Sequence, residues 1–318
     1  MKKYLIGFSS LVIIFFIAIW QYNSKTPRVE FYYWQQKYDV PIKSTTKPIY
    51  IKCIDIGIQR DVDFKVTNFV TTPNNKLIPV VYIDNDVLFA TNSNELAIKI
   101  VKTLDELSKN NNFSYNTIQV DCDWTLRSKD DYFNLLKTIK KISKKSTEAT
   151  IRLHQVKFYK QTGVPPVDRG VLMYYNMSDF YSPDTKNYIL DLDIAKQYHY
   201  GFDTYPLPLD LALPIYSQAR VIRFSKVIGA IEGVDIKDMD NHFDKIGKNT
   251  FKVIQTHYFK EKLLYKGDEV RLDNVEHDEL MKATKELSKI MKKPEKIIFY
   301  HFGSKWKKQE LDEIVDIF

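Results

Sequence analysis

Short apolar runs of strand length alternate with amphipathic stretches of helical period over most of this chain. Residues 49–55 are rich in β-branched side chains, and 78–83, 117–123, 150–155, 170–175, 209–215 and 297–301 read as further strands. Residues 94–109 carry Leu96, Ile98, Ile100, Val101, Leu104 and Leu107 at helical spacing. Ser128 is placed to cap the next helix, with Asp130 and Asp131 in the first turn and Leu135, Leu136, Ile139 and Ile142 on one face. Residues 276–292 and 309–318 complete the helices, and 251–257, the eighth candidate strand, precede the charged turn Lys266-Gly267-Asp268. Residues 217–249 are the least regular, with a short helix and a strand at 227–232 inserted in the βα loops. Strands that alternate with helices demand a parallel sheet, and eight candidate strands in one domain of this length predict a (β/α)8 TIM barrel over residues 47–318.

The start of the chain follows a different pattern. Lys2 and Lys3 precede an almost wholly apolar run, 5–20, which ends in Ile19, Trp20 and Tyr22. This suits a signal anchor or a signal peptide over residues 1–24. The bulky end without a small-x-small cleavage site, and the interfacial aromatics, favour the anchor and a cytoplasmic N-terminus. The barrel then stands on the extracytoplasmic side of the cytoplasmic membrane, or is secreted if the segment is cleaved. Residues 25–46 read as a tether with a short helix around 31–37.

The formal net charge of +7 is spread over amphipathic segments, and no nucleic-acid motif accompanies it. Glycine is scarce and neither GxGxxG nor GxxxxGK[ST] occurs, which excludes the usual nucleotide cradles and leaves no cofactor expected. No HxH or HExxH spacing predicts a metal site. Cys53 and Cys122 read as buried small hydrophobes rather than a disulfide.

The chemistry concentrates where strands end. In Gln119-Val120-Asp121-Cys122-Asp123-Trp124-Thr125 the polar residues share one face and the apolar ones the other. In a barrel, strand C-termini form the active face. Asp55, Asp121 and Asp123, Arg152 and His154, Tyr175 and Asn176, Asp210 with Tyr216, and His301 would converge there. Carboxylates beside Arg, His and aromatics are what sugar recognition uses: rings stack on pyranose faces while acids and amides bind hydroxyls. An ion pair between Asp121 and Arg152 is the structural alternative for those two.

Asp121-Cys122-Asp123-Trp124-Thr125 resembles the D-x-D-W-E strand end of family-18 glycoside hydrolases, the chitinase-like barrels. Met173-Tyr174-Tyr175-Asn176 is similar to their M-x-Y-D strand, whose tyrosine and final acid or amide contact the sugar. The layout from about residue 45 onward, with Arg-Leu-His on the next strand and the Pro-Pro-Val-Asp-Arg-Gly loop, looks like an uncharacterised bacterial family of glycosidase-like TIM barrels. The resemblance implies that Asp123 is the carboxylate assisting the substrate's N-acetyl group and that Asp121 stands behind it. The acid that protonates the leaving oxygen is missing, because Thr125 occupies its position and a threonine hydroxyl holds its proton too tightly. Ile118 likewise stands where the family has an upstream Asp.

Two functions follow. One is a membrane-tethered glycosidase-like barrel, with Asp123 and Asp121 as catalytic carboxylates acting on a glycan. The other is a non-catalytic carbohydrate-binding or envelope-assembly protein on the same scaffold. Geometry separates them: a free second carboxyl across an open cleft favours hydrolysis, and mouth acids locked to Arg or Lys favour binding.

Overall fold

The computed structural model describes residues 26–44 and 46–318. Eight parallel strands close into a barrel: β1 Arg28–Tyr33, β2 Tyr50–Ile58, β3 Lys76–Ile83, β4 Thr117–Asp121, β5 Ser146–Arg152, β6 Arg169–Met173, β7 Leu209–Pro214 and β8 Lys296–Tyr300. Each pairs with its successor, and β8 pairs with β1 to close the ring. Helices α1 Ser93–Asn110, α2 Lys129–Ser143, α3 Leu153–Lys157, α4 His277–Ser288 and α5 Lys308–Val315 lie among the connections. The (β/α)8 class expected from the sequence is the one observed.

Local chemistry accounts for the elements. Asn92 caps α1 by accepting from the backbone N–H groups of Asn94 and Glu95. Leu96, Ile100 and Leu104 of α1 and Leu135, Leu136 and Ile139 of α2 are buried, as their spacing requires. Ser128 stands at the N-cap of α2 but makes no capping bond; its hydroxyl is engaged elsewhere, as described below.

Three expectations need correction. The segment 25–46 is not a tether with a helix: Arg28–Tyr33 is the first barrel strand, with Tyr32 fully buried and Phe31 packed on Phe299. Its aromatic run satisfies β-propensity and burial together. The barrel therefore begins at residue 28, not 47. Residues 251–257 do not join the barrel. Strands Gln218–Arg223, Lys226–Glu232, Phe243–Lys245, Thr250–Val253 and Glu269–Asp273 form a separate antiparallel sheet inserted between β7 and α4. The expected strand at 150–155 ends at Arg152, and Leu153 begins α3. The anticipated membrane segment 1–24 lies outside the described residues; among the described residues no helix is long and apolar enough to cross a membrane.

The barrel interior is polar at its N-terminal end. Lys296 donates to Glu148 (2.6 Å) and lies 3.2 Å from Asp210, while Tyr50 donates to Glu148 at 3.0 Å. Gln119 donates to Glu148 and accepts from Tyr32 at 2.8 Å. These buried side chains hold one another through hydrogen bonds and ion pairs, and they fill the barrel beneath its mouth.

The candidate sugar site at the barrel mouth

Strand register brings the first group of side chains together. Asp55 of β2 lies beside Tyr82 of β3, and Tyr82 beside Asp121 of β4, in one row across three strands. Thr150 of β5 extends the row by donating to Asp121 Oδ1 at 2.7 Å. A bulge at Cys53 adds one residue to β2, so Lys52 and Asp55, three apart, both reach the interior face and pair at 2.9 Å. Gln36 also donates to Asp55, at 3.1 Å.

Asp123 stands just beyond the end of β4, with 60% of its side chain exposed. Arg152, the last residue of β5, grips it in a fork: Nε to Oδ1 at 2.7 Å and Nη2 to Oδ2 at 2.9 Å. The third guanidinium nitrogen, Nη1, is buried without a hydrogen-bond partner among the described residues. The ion pair expected for Asp121 with Arg152 is thus made by Asp123 instead.

The two acids titrate in opposite directions. Burial raises the Asp121 carboxyl to about 6, and the neighbouring Asp123 charge adds to this; Arg152 and Thr150 oppose it. Burial also works to raise Asp123, but the hydrogen bonds and charge of Arg152 outweigh it and hold that group below the ordinary carboxylate range. Arg152 is correspondingly pushed up by Asp123 against the effect of its own burial.

Asp121 gives a pH prediction. An acid whose folded pKa lies above its unfolded value binds more protons folded than unfolded between the two, so stability falls as pH rises from about 4 to about 6. A shift of roughly two units corresponds to about 3 kcal/mol at neutral pH. Asp121→Asn, which can still accept from Thr150, is expected to stabilise the chain by up to about 3 kcal/mol at pH 7 and by little at pH 4. Urea unfolding at the two pH values checks this, and equal effects at both would contradict it.

Aromatic side chains line the other half of the mouth. Tyr175 is buried and stacks on Tyr300 at 5.3 Å, and Tyr300 packs against Trp34 (5.7 Å) and Tyr216 (5.2 Å). Trp34 meets Tyr82 at 6.2 Å, and the Lys52 ammonium lies over the Trp34 ring. Asn176, with a left-handed φ of 53°, accepts from the Tyr216 hydroxyl at 2.6 Å. Burial pushes the Tyr82 hydroxyl up to about 12, and Asp121, Asp84, Asp123 and Asp55 push in the same direction. Tyr82 therefore stays protonated and can donate to a bound oxygen.

Most of the sequence-predicted residues meet at this face. Asp55, Asp121, Asp123, Arg152, Tyr175 and Asn176 share it. His154 sits on α3 rather than on a strand, near enough to Asp123 for each to influence the other's charge. His301 lies to one side, where its Nδ1 faces the Phe302 carbonyl and its ring leans on Tyr216. It borders a cleft of about 280 Å³ beside the inserted sheet. Asp210 does not belong to the mouth: it is the second residue of β7, is fully buried, and is held by Lys296 and Arg169 at the opposite end of the barrel.

Thr125 turns away from the row it was expected to continue. Its backbone N–H donates to Ser128 Oγ at 2.9 Å, and its hydroxyl lies 3.3 Å from the same oxygen, which donates to Asn85. Trp124 stacks on Tyr132 beneath α2, as alternation requires. The residues that sequence reasoning missed are Lys52, Tyr82, Thr150, Trp34 and Tyr300. Trp34 was hidden by the misread first strand and Lys52 by the bulge. Tyr82, Thr150 and Tyr300 had a usable signal in the alternation of their strands.

No protein-family model matches this chain, and no curated protein does. Solved structures resemble it. The class V chitinase from Nicotiana tobaccum superposes with a TM-score of 0.54 at 9% identity, covering 92% of this chain and 99% of its own. The spore cortex-lytic enzyme SleL from Bacillus cereus gives 0.52 at 11% identity over 92% and 75%. The chitinase-like agglutinin RobpsCRA from Robinia pseudoacacia gives 0.51 at 11% identity over 91% and 98%. The chain has the TIM-barrel fold that chitinases and chitinase-like proteins share.

Proposed function

We propose that the mouth of this barrel binds a glycan containing N-acetylglucosamine and does not hydrolyse it by the chitinase route. The observation that carries the proposal is the state of the acids. Asp123, which would assist the N-acetyl group, is clamped by both arms of Arg152. Asp55 is paired with Lys52. Thr125, at the position of the leaving-group acid, is bonded into the Ser128–Asn85 turn. A fixed carboxylate–guanidinium pair near Tyr82 and Tyr175, on whose rings Trp34 and Tyr300 pack, can bind hydroxyls and stack on a ring without supplying a proton.

A tobacco chitinase of this fold was solved in complex with NAG4, with a TM-score of 0.53, and RobpsCRA is named an agglutinin; both support an oligosaccharide ligand. The basic start and apolar run of residues 1–24 support display on the extracytoplasmic face of the cytoplasmic membrane through a signal anchor, or secretion after cleavage.

Calorimetric titration with (GlcNAc)4 tests the reading. The wild-type chain is expected to bind, and Asp123→Ala to bind at least tenfold more weakly, about 1.4 kcal/mol. Equal affinities would remove Asp123 from the site. Thr125→Glu alone is expected to release no reducing ends, because Arg152 still engages Asp123.

One observation favours a second reading. Asp121, raised to about 6, holds a proton in the range a general acid needs. A slow hydrolase built on it would show a rate falling through pH 6 and no turnover in Asp121→Asn.

A further inference from the structure

We propose that Asp240, His242 and His257 form a binding site for a divalent transition metal of the Zn²⁺ or Co²⁺ class on the inserted sheet. The site is separate from the mouth, and nothing in the sugar reading depends on it. Each residue offers one ligand atom, and the three atoms lie within 4.8 Å of one another. The two imidazoles stack with ring centres 4.4 Å apart.

Tautomers make the case. His257 Nδ1 lies 2.8 Å from the Gln255 carbonyl oxygen. A carbonyl only accepts, so Nδ1 carries the proton in the neutral ring and Nε2 keeps its lone pair. His242 Nδ1 lies 3.0 Å from Asp240 Oδ1, so a metal that displaces the proton they share would take both atoms as ligands. His257 presents Nε2 as a bare donor atom with its Nδ1–H held by a carbonyl, the arrangement metal-bound histidines adopt to fix ring orientation.

The second observation is independent of the spacing. His257 Nε2 is shielded from solvent and has no hydrogen-bond partner among the described residues. A buried lone pair facing no donor calls for a cation or an N–H group. Asp240 Oδ1 also accepts from the His242 backbone at 2.9 Å, which holds the carboxylate beside Nδ1.

The frame is stiff. Ile254 N–H donates to the His242 carbonyl at 2.9 Å, Phe243 pairs with Val253 in the sheet, and the Phe243 ring packs edge-on against His257 at 5.0 Å. Two imidazoles and one carboxylate suit Zn²⁺, Co²⁺ or Ni²⁺ and not Mg²⁺ or Ca²⁺, which take oxygen ligands. Three protein ligands leave a fourth position for water or for a donor from a partner.

The test is titration of Zn²⁺ and Co²⁺ into the full-length, tag-free chain. One equivalent is expected to bind with micromolar affinity or better, Co²⁺ is expected to develop visible d–d absorption, and Mg²⁺ to give no response. Asp240→Asn is expected to weaken Zn²⁺ binding roughly 10-fold. The pair His242→Ala with His257→Ala is expected to abolish it, with circular dichroism confirming the fold. No stoichiometric uptake by the wild-type chain overturns the proposal. So does uptake that the double histidine variant retains. Should that variant unfold, His257→Gln, which keeps the size of the side chain, replaces it under the same criterion.

Discussion

Lys296→Met is expected to lower the unfolding free energy by about 3–5 kcal/mol, the usual consequence of removing one partner from a buried ion cluster. Lys296 enters the barrel from the first residue of β8 and lies against Glu148 at 2.6 Å and Asp210 at 3.2 Å. Both acids are buried, and burial already pushes Asp210 upward in pKa against Lys296 and Arg169. Methionine fills the volume but removes the cation the two acids share, leaving Arg169 against Asp210 and only neutral donors on Glu148. Urea denaturation measures the loss. A change under about 1 kcal/mol would mean that the cluster is wetter or looser than its hydrogen bonds imply.

Arg152→Ala is expected to weaken (GlcNAc)4 binding by roughly 30–100-fold, about 2–3 kcal/mol, as truncation of a hydrogen-bonded charge pair does. Two effects act together. Asp123 loses the fork that orients it, and Asp121 loses the cation that opposes its upward shift. Asp121 then carries its proton to higher pH, so the pH dependence of affinity, centred near pH 6 in the wild type, should move upward in the variant. Titration calorimetry from pH 5 to pH 9 reads both. Unchanged affinity would place the ligand elsewhere on the chain.

Much of this was legible in the residues because barrel strands impose alternation. Gln119, Val120, Asp121 and Cys122 took the faces that a period of two assigns to them, and α1 and α2 followed their apolar spacing except at Ile98 and Ile142, which are exposed. Failures came where a longer-range constraint decided. Arg28–Tyr33 looked like a tether, because its partners Lys296–Tyr300 lie at the other end of the chain. Cys53 looked like an ordinary strand position, since nothing local marks a bulge whose cause is the pairing of β2 with β3. Asp210 was assigned to the wrong end because a residue at the edge of a short strand reads equally well at either end until β7 is paired. The histidine cluster escaped notice because His242 and His257 meet only when the inserted sheet folds.

Within the site, the sequence could not show which acid Arg152 holds: Thr125 is bonded into the Ser128 turn, and Arg152 reaches Asp123 in place of Asp121.

A single proton NMR experiment tests the idea on which the rest depends, that this cleft holds sugar chains yet leaves their linkages intact. (GlcNAc)4 incubated with the soluble chain from Lys25 onward should show saturation transfer from protein to sugar while its anomeric signals stay unchanged over a day. New reducing-end signals that vanish in Asp121→Asn would contradict the account from one side. Absence of any transfer would contradict it from the other.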